Sequence, residues 1–457
     1  MLDAAQLKQA KHLHFIGIGG SGMFPLVQIL HGMGYTITGS DNNEGSIIDA
    51  ERAMGIPVVI GQKPENIQGA DMIFYTAAIL EDNPELLAAK ASEIPMAERA
   101  ELLGWLSEQF SRSYCICGTH GKTTTTSMLT QILFGAELDP TAVIGGKLPA
   151  IGGYGRRGKS DIFVCEACEF QDHFLKLSPD IALILNIDND HMEYFGTIEN
   201  AIRSYHIFAE KTSKAIFYNG DDENTRKAME GISGKEIFTF GWGESSDYRP
   251  ENVRRPDGAQ SIFTLRNRDR SLGEFTIHVP GRHNILNATA AIAAAIHAGT
   301  PLDAIRAHLE AFHGAGRRFE ILGKVGGITI ADDYAHHPAE LAATLTAAKE
   351  LPFKKVWAVF QPFTYSRTKL LMDDFAKALS IADRVVMSEI MGSREKNTDG
   401  VYTSQLAEKV PGSVWFPGFD EIASYVMNHA EEGDLVITLG CGDVYKCAKM
   451  MVKMDIA

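Results

Sequence analysis

The sequence predicts an α/β fold organised in about three domains, and three observations lead to this prediction. The chain has 457 residues, roughly three times the length of an average domain. Short apolar runs alternate with helix-like segments along the chain, which is typical of parallel α/β units. Several of these runs end in glycine-containing or polar loops, where parallel sheets bind their ligands.

Composition and charge exclude several classes of protein. Hydrophobic residues make up 45% of the chain and charged residues 22%, an ordinary balance for a globular protein. The formal net charge of −15 argues against general attraction to nucleic acid or an anionic membrane, so we expect neither as a partner. Glycines and Pro25 interrupt the apolar stretch Phe15–Leu30, and six cysteines fit a reducing compartment. We therefore expect a cytoplasmic protein.

The first predicted domain, residues 1–108, carries a glycine-rich turn after its first strand. The turn Gly17-Ile18-Gly19-Gly20-Ser21-Gly22 contains GxGxxG, and Asp41 lies beyond the second strand. This pattern predicts a backbone that a diphosphate can approach, without identifying the diphosphate. Taken alone it indicates an NAD-dependent enzyme. The predicted strands are His12–Ile18, Tyr35–Gly39 and Met72–Thr76, with a helix from about Met23.

The second predicted domain, residues 109–317, contains the strongest local motif of the chain. The segment Gly118-Thr119-His120-Gly121-Lys122-Thr123 follows the predicted strand Tyr114–Cys117 and precedes a helix. Backbone N–H groups of such a loop cradle phosphates, Lys122 would reach the terminal phosphates, and Thr123 would hold Mg²⁺. The match is incomplete, because Ile116 replaces the first glycine of the usual motif. A simple glycine turn that caps a helix is the alternative.

Polar residues at two further strand ends of this domain are candidates for metal binding. Glu166 follows a predicted strand, at the place where an acid would hold the metal of a nucleotide site, and Glu169 is a weaker candidate. Asn186, Asp190 and His191 follow the next predicted strand. They could complete a second metal position or orient a phosphate.

Four cysteines allow a different metal interpretation. Cys165 and Cys168 form a CxxC motif, and Cys115 and Cys117 could complete a set of four zinc ligands. Both pairs lie in or beside apolar, strand-like runs. Buried thiols are therefore the simpler interpretation.

The third predicted domain, residues 318–457, carries two polar motifs at strand ends. These are Asp332–Pro338, with two adjacent histidines, and Gln361–Thr368, with Arg367. Histidine and arginine at strand ends could bind a carboxylate and stabilise a transferring phosphoryl group. A helix N-terminus capped by an aspartate, with solvated histidines, is the alternative. The predicted strands are Ile328–Ala331, Val356–Phe360, Arg384–Met387 and Leu435–Leu439.

Seven segments together resemble the Mur ligase family in order and spacing, over nearly the whole chain. They are His14–Met23, Gly118–Thr126, Asn186–His191, His283–Asn287, Arg317–Phe319, Asp332–Pro338 and Gln361–Thr368. The resemblance implies a Rossmann-like amino-terminal domain for a UDP-sugar and a central P-loop ATPase-type domain with a mostly parallel sheet. It also implies a Rossmann-like carboxy-terminal domain for an amino acid.

The resemblance also implies roles for individual residues. UDP-sugar contacts are expected at Gly19, Gly20, Ser21, Gly22, Asp41, Thr76 and Arg99. ATP contacts are expected at Gly118, Thr119, His120, Gly121, Lys122, Thr123, Thr124, Asn284, Asn287 and Arg318. Metal ligands are expected at Thr123, Glu166 and His191, and amino-acid contacts at Tyr334, His336 and Arg367. Catalytic roles are expected for Lys122, His191 and His336.

By this resemblance the chain is a ligase of peptidoglycan biosynthesis that uses ATP and Mg²⁺. It would join L-alanine to UDP-N-acetylmuramate through an acyl phosphate, as a monomer or homodimer. Phe363 and Thr364 stand where related alanine-adding enzymes commonly have His-Arg, which bears on selectivity among alanine, serine and glycine. Attachment of a recycled murein tripeptide to the same sugar nucleotide is one alternative. An NAD-dependent oxidoreductase is another, although it leaves Gly118–Thr123 without a purpose.

Overall fold

A computed structural model describes residues 4–77, 79–256, 260–393 and 395–454, and it confirms the predicted α/β class. Within these residues the strands form three sheets, of five, ten and six strands. The chain divides into two compact units. One holds the chain up to Glu251 with Thr264–Gly273 and Leu286–Leu309, and the other holds Asn252–Phe263, Glu274–Ile285 and the chain from Glu310 onward. The domain boundaries after residues 108 and 317 stay predictions.

The first sheet is parallel throughout. Its strands are β1 His12–Ile16, β2 Thr36–Asp41, β3 Val58–Ile60, β4 Met72–Tyr75 and β5 Met96–Glu98. The accompanying helices are α1 Ala4–Gln9, α2 Phe24–Gly32, α3 Ser46–Ala53, α4 Pro84–Ala91 and α5 Arg99–Ser107, with a 3-10 turn at Pro64–Ile67. The strand order is β3-β2-β1-β4-β5. Because the carboxyl ends of parallel strands meet at one edge, the residues after β1, β2 and β4 lie together.

The first strand ends earlier than the sequence predicted. We expected it to continue to Ile18, but β1 stops at Ile16. Gly17 has a φ of +81°, a conformation outside the extended region. The glycine-rich turn therefore begins directly at the end of the strand, and Ile18 is buried as part of the turn.

One buried acid in this sheet's helical layer gives a pH-dependent stability prediction. Glu51 in α3 is fully buried, and neither carboxylate oxygen has a hydrogen-bond partner among the described residues. Burial, with a smaller contribution from Asp41, raises its pKa from 4.5 to about 8. An acid whose pKa is raised by folding destabilises the fold progressively as pH rises from its ordinary pKa to its folded pKa.

We therefore expect Glu51→Gln to stabilise the protein by about 2–4 kcal/mol at pH 9 and by little at pH 4.5. Denaturant unfolding at a series of pH values measures this difference. Glu65→Gln, at an exposed position, is the matched control and should leave the profile unchanged. Parallel pH profiles for the wild type and Glu51→Gln would contradict the prediction.

The second sheet has ten strands and is mostly parallel. Its strands are β6 Arg112–Cys117, β7 Thr141–Leu148, β8 Gly153–Arg156, β9 Ile162–Glu166, β10 Ile181–Ile184, β11 Ala215–Asn219, β12 Glu236–Phe240, β13 Tyr248–Arg254, β14 Ser261–Asn267 and β15 Arg270–Ile277. The helices are α6 Lys122–Gly135, α7 Met192–Phe195, α8 Ile198–Lys211, α9 Glu223–Ala228, α10 Arg282–His297 and α11 Leu302–Glu310, with 3-10 turns at Pro149–Ile151 and Phe170–Lys176. The order is β15-β14-β13-β12-β11-β10-β6-β9-β7-β8. Strands β10, β6 and β9 are parallel neighbours, so the loops that follow them share one edge.

The third sheet lies in the second unit. Its strands are β16 Glu320–Val325, β17 Ile328–Asp333, β18 Val356–Phe360, β19 Arg384–Met387, β20 Val414–Trp415 and β21 Leu435–Leu439. The helices are α12 Pro338–Lys349, α13 Tyr365–Leu370, α14 Met372–Leu379, α15 Thr403–Lys409, α16 Phe419–His429 and α17 Tyr445–Val452. The order is β16-β17-β21-β18-β19-β20, and of the described strands in this sheet only β16 runs antiparallel to its neighbour.

The search for membrane-spanning helices gave a negative result within the described ranges. No helix there combines the length and the apolar character that crossing a bilayer requires.

Candidate active site

The loop between β6 and α6 has the geometry of a phosphate cradle. Gly118 has a φ of +143° and Gly121 a φ of +86°, and Gly121 is the residue before the first turn of α6. A Cβ atom at Gly121 would lie 2.6 Å from Oδ1 of Asn287, and one at Gly118 would lie 2.9 Å from Cβ of Leu185. Only glycine fits both positions. The loop leads directly into a fourteen-residue helix, whose N-terminus favours an anion.

Residues after β10 hold this loop in place. The backbone N–H of His120 donates to Oδ1 of Asn186 at 2.8 Å, and Nδ2 of Asn186 donates to the carbonyl of His120 at 3.0 Å. The backbone N–H of Asp188 donates to Oγ1 of Thr119 at 2.9 Å. Asn186, which the sequence placed among possible metal or phosphate groups, is therefore engaged by both of its amide atoms in bracing the loop.

Lys122 makes three contacts within the site. Its Nζ donates to the carbonyls of Gly118 and Thr119, the second at 3.0 Å, and to Oε1 of Glu169 at 3.0 Å. Burial alone would lower the pKa of Lys122, but the charge and hydrogen bond of Glu169, together with Cys168 and Glu166, outweigh this effect and the pKa is raised. Lys122 is thus a permanently charged group whose counter-ion is Glu169, the residue that the sequence ranked behind Glu166.

Glu166 and Thr123 fit a magnesium ion that is shared with a phosphate. Thr123 is buried in the first turn of α6, and Glu166 ends the neighbouring strand β9. Oε1 of Glu166 accepts a hydrogen bond from the backbone N–H of Gly145 at 2.6 Å. A Cβ atom on Gly145 would lie 2.7 Å from Oε2 of Glu166. Across the described part of the chain, no three His, Cys, Asp or Glu side chains form a metal cluster. Mg²⁺ commonly binds through one or two carboxylates together with substrate phosphates, so this donor set fits it.

His191 lies in the loop after β10, at the same edge. It has a φ of +54° and precedes α7, and its ring centre lies 4.8 Å from that of Phe170. Its Nε2 is 3.8 Å from Oδ2 of Asp190. The structure therefore brings His191 and Glu166 to the edge that carries the phosphate loop, and metal binding by them stays a prediction.

The cysteine pairs lie beneath the phosphate loop. Cys115 and Cys165 are paired across β6 and β9, with their Sγ atoms 3.6 Å apart. Burial raises the pKa of Cys117, Cys165 and Cys168. Burial that disfavours the thiolate is unfavourable for zinc, whose cysteine ligands are deprotonated. The positions and burial of these side chains fit packed thiols.

The two asparagines of α10 have different surroundings. Asn287 is buried and its side chain lies against Gly121, so it adjoins the phosphate loop. Asn284 is buried as well, and its Nδ2 donates to the carbonyl of Pro280 at 2.6 Å. The contacts of both with adenine stay predictions.

The glycine-rich turn after β1 gathers most of the predicted UDP-sugar residues. Its Gly19 N–H donates to Oδ2 of Asp41 at 3.0 Å. A Cβ atom at Gly17 would lie 2.8 Å from Cγ2 of Thr76, and one at Gly22 would lie 3.6 Å from the guanidinium carbon of Arg99. Asp41, Thr76 and Arg99 therefore surround the turn. Gly20 and Ser21 are its exposed tip.

The third sheet brings together residues from three neighbouring strand ends. Tyr334 follows β17, Arg367 lies in α13 beyond β18, and Cys441 follows β21, which pairs with both strands. Burial raises the pKa of Cys441 to about 12, against the opposing charge of Arg367. Nδ1 of His336 is 3.1 Å from the Tyr334 carbonyl and 3.3 Å from Oε2 of Glu340.

Two consecutive arginines pack on Tyr334. The guanidinium carbons of Arg317 and Arg318 lie 4.9 Å and 5.1 Å from the centre of its ring. Arg317 also donates to Oδ2 of Asp332 at 2.9 Å and to the carbonyl of Gly440 at 2.6 Å. The sequence analysis assigned a role to Arg318 and none to Arg317, whereas the structure shows that Arg317 connects β17 to the loop after β21. Only its proximity to the predicted Arg318 could have drawn attention to it.

The second sheet carries a loop with the geometry of a phosphate site. The first sheet carries a glycine-rich turn, and the third sheet carries histidine and arginine at its strand ends. Together these features define an α/β protein of nucleotide-dependent chemistry. The chain belongs to the Mur ligase family. The family models match residues 12–111 (Mur ligase family, catalytic domain), 116–295 (Mur ligase middle domain) and 317–442 (Mur ligase, glutamate ligase domain).

Individual relatives cover almost the entire chain. A UDP-N-acetylmuramate--L-alanine ligase of Agathobacter rectalis is 43% identical over 449 residues, covering 97% of this chain and 98% of that protein. The crystal structure of the UDP-N-acetylmuramate-alanine ligase MurC from Thermotoga maritima has a TM-score of 0.84 and 27% identity, covering 97% of this chain and 98% of that one. A murein peptide ligase from Psychrobacter arcticus has a TM-score of 0.76 and 25% identity, covering 98% and 100%.

Proposed function

We propose that this chain joins L-alanine to UDP-N-acetylmuramate at the expense of ATP, with Mg²⁺, as a cytoplasmic step of peptidoglycan biosynthesis. The observation that carries the proposal is the 43% identity to a ligase of that name over 97% of the chain. The geometry of the phosphate loop, with Lys122, Thr123 and Glu166 around it, supports the ATP component. The oligomeric state, monomer or homodimer, stays a prediction.

The reaction follows from the weak reactivity of a carboxylate toward an amine. A carboxylate oxygen of the lactyl group attacks the γ-phosphorus of ATP, the bond to ADP breaks, and an acyl phosphate forms. The amine nitrogen of alanine then attacks the acyl carbon, phosphate leaves, and the amine loses a proton. Bound Mg²⁺ would neutralise charge on the phosphates, with Thr123 and Glu166 as its protein ligands.

The residues of this chain mainly position and neutralise the reacting groups. Lys122 supplies fixed positive charge beside the loop, and the N-terminus of α6 favours the negative charge of the phosphates. In the second unit, Arg367 binds the alanine carboxylate and His336 lies beside its amine. In the first unit, the turn Gly17–Gly22 holds the diphosphate of the sugar nucleotide.

A substrate panel tests this proposal. Phosphate release is measured with UDP-N-acetylmuramate, ATP and Mg²⁺, in the presence of alanine, serine, glycine or a murein tripeptide. We expect alanine to give the largest kcat/KM. The likeness to the murein peptide ligase makes the tripeptide the second candidate substrate. A larger kcat/KM for the tripeptide would mean that the chain attaches this peptide instead of alanine.

Arg367→Ala should raise the KM for alanine by about 10–100-fold, because an arginine that binds a carboxylate contributes a charge-assisted and often bidentate pair. The KM values for ATP and the sugar nucleotide should change little. The matched control is Lys369→Ala on the same helix, where the lysine forms an exposed ion pair with Asp399 at 3.0 Å. An unchanged KM for alanine in Arg367→Ala would mean that the amino acid binds elsewhere.

A further inference from the structure

A continuous chain of hydrogen-bonded side chains runs through the first sheet beneath the glycine-rich turn. Nδ1 of His12 is 2.7 Å from the carbonyl of Gly69, and its Nε2 is 2.8 Å from Oγ1 of Thr38. The same Oγ1 is 2.8 Å from Nδ1 of His14, whose Nε2 is 2.7 Å from Oε1 of Glu85. The chain thus leads from the opening of β1 to the first turn of α4.

The end of the hydrogen-bonded chain at Glu85 is buried, and both carboxylate oxygens of Glu85 accept hydrogen bonds or contact a ring nitrogen. His14 is 2% exposed and Glu85 is 0% exposed. Oε2 of Glu85 accepts hydrogen bonds from Oγ of Ser40 at 2.7 Å and from Nδ2 of Asn66 at 3.1 Å. Both carboxylate oxygens of Glu85 therefore have partners, which are His14, Ser40 and Asn66.

Both histidines use both of their ring nitrogens in these contacts. His12 bridges the Gly69 carbonyl and Thr38, and His14 bridges Thr38 and Glu85. The hydrogen-bonded side chains therefore hold Glu85 against β1 and β2.

The same chain is connected to the glycine-rich turn through Ser40. The carbonyl of Ser40 accepts hydrogen bonds from the N–H groups of Gly17 at 2.8 Å and Ile18 at 3.0 Å. The next residue, Asp41, accepts from the N–H of Gly19 at 3.0 Å. Three consecutive N–H groups of the turn thus depend on the position of Ser40 and Asp41, and Glu85 fixes the Ser40 side chain.

We propose that Glu85 is a positioning residue for the diphosphate of the sugar nucleotide. Glu85 acts through Ser40 on the turn and does not itself contact the substrate. The proposal rests on the proposed function, because the ligand of the turn is the UDP-sugar. It predicts an effect on sugar-nucleotide binding that ATP binding does not share.

Two substitutions at Glu85 separate positioning from general stability. Glu85→Leu removes the acceptor for Ser40 and His14, and we expect the Kd and KM for UDP-N-acetylmuramate to rise by about tenfold, the size of one lost hydrogen bond to a charged group. The KM for ATP should stay within about twofold of the wild-type value. Glu85→Gln can donate to Nε2 of His14 and accept from Ser40, so it should restore sugar-nucleotide affinity to within about threefold.

A substitution at Ser40 provides a second test of the same connection. If Glu85→Leu does not fold, Ser40→Ala removes one bond of the same chain and should raise the Kd for the sugar nucleotide by a few fold.

The possible outcomes are distinct. If the wild type binds no UDP-N-acetylmuramate in a calorimetric titration, the proposed function fails. If the wild type binds it but Glu85→Leu, or Ser40→Ala in its place, binds it equally well, the positioning role alone is overturned. Equal losses of affinity for ATP and for the sugar nucleotide in Glu85→Leu would show that Glu85 supports the fold and does not position the turn.

Discussion

Lys122→Ala should lower ATP-dependent ligation by about 10²–10³-fold, the range observed when one electrostatic stabiliser of a transition state is removed. The ammonium of Lys122 lies against the Gly118 and Thr119 carbonyls, in the loop that faces the phosphates. Binding of UDP-N-acetylmuramate should be unaffected, because its predicted site lies on another sheet. Steady-state turnover and sugar-nucleotide titration measure the two effects, and normal turnover in this variant would contradict the assignment of the loop.

The same substitution has a structural consequence that must be separated from the catalytic one. It leaves the carboxylate of Glu169, which is 3% exposed, without its counter-ion. Breaking such a buried pair typically costs about 3–5 kcal/mol. The double variant Lys122→Ala/Glu169→Gln should recover most of the unfolding free energy but none of the turnover. Recovery of turnover in the double variant would show that the single variant had lost its fold rather than its chemistry.

Gly121→Ala should also remove most ATP-dependent activity, for a steric reason. A φ of +86° costs a residue with a Cβ atom about 1–2 kcal/mol, and that atom would also lie 2.6 Å from Asn287. Because the position begins α6, any shift that relieves this contact moves the N–H groups that face the phosphates. We expect at least about a tenfold rise in the KM for ATP.

Gly231→Ala is the matched control for this effect. Gly231 has a φ of +79°, and a Cβ atom there would meet nothing within 4 Å. Gly231→Ala should lower the free energy of unfolding by a similar amount, but it should leave the KM for ATP and the turnover unchanged. Equal losses of activity in the two variants would mean that strain alone, and not the shape of the phosphate loop, explains the result.

The sequence was most informative about the interior strands. Strands β18, β19 and β21 lie where their apolar runs predicted them, to the residue, because an interior parallel strand is a short continuous apolar segment. Strand β16 was not predicted, since Glu320–Val325 is an antiparallel edge strand whose residues are half-buried or exposed. Its apolar pattern is correspondingly weak.

The sequence was less informative about partners within the sites. The phosphate loop was identified because glycines, lysine and threonine are adjacent in the chain. The counter-ion of Lys122 is Glu169, which lies 47 positions away, and the contact of Arg317 with Gly440 spans 123 positions. Nothing local identifies Glu169 as the partner of Lys122, or Arg317 as the partner of Gly440. Such pairings are set by which strands become neighbours in the sheet.

The central claim is that the chain activates a carboxylate with ATP before it forms an amide. The most direct measurement uses UDP-N-acetylmuramate labelled with ¹⁸O in the lactyl carboxylate, together with ATP, Mg²⁺ and L-alanine. The account predicts that each inorganic phosphate released carries one ¹⁸O atom from that carboxylate. Unlabelled phosphate, or phosphate release that does not depend on the sugar nucleotide, would contradict it.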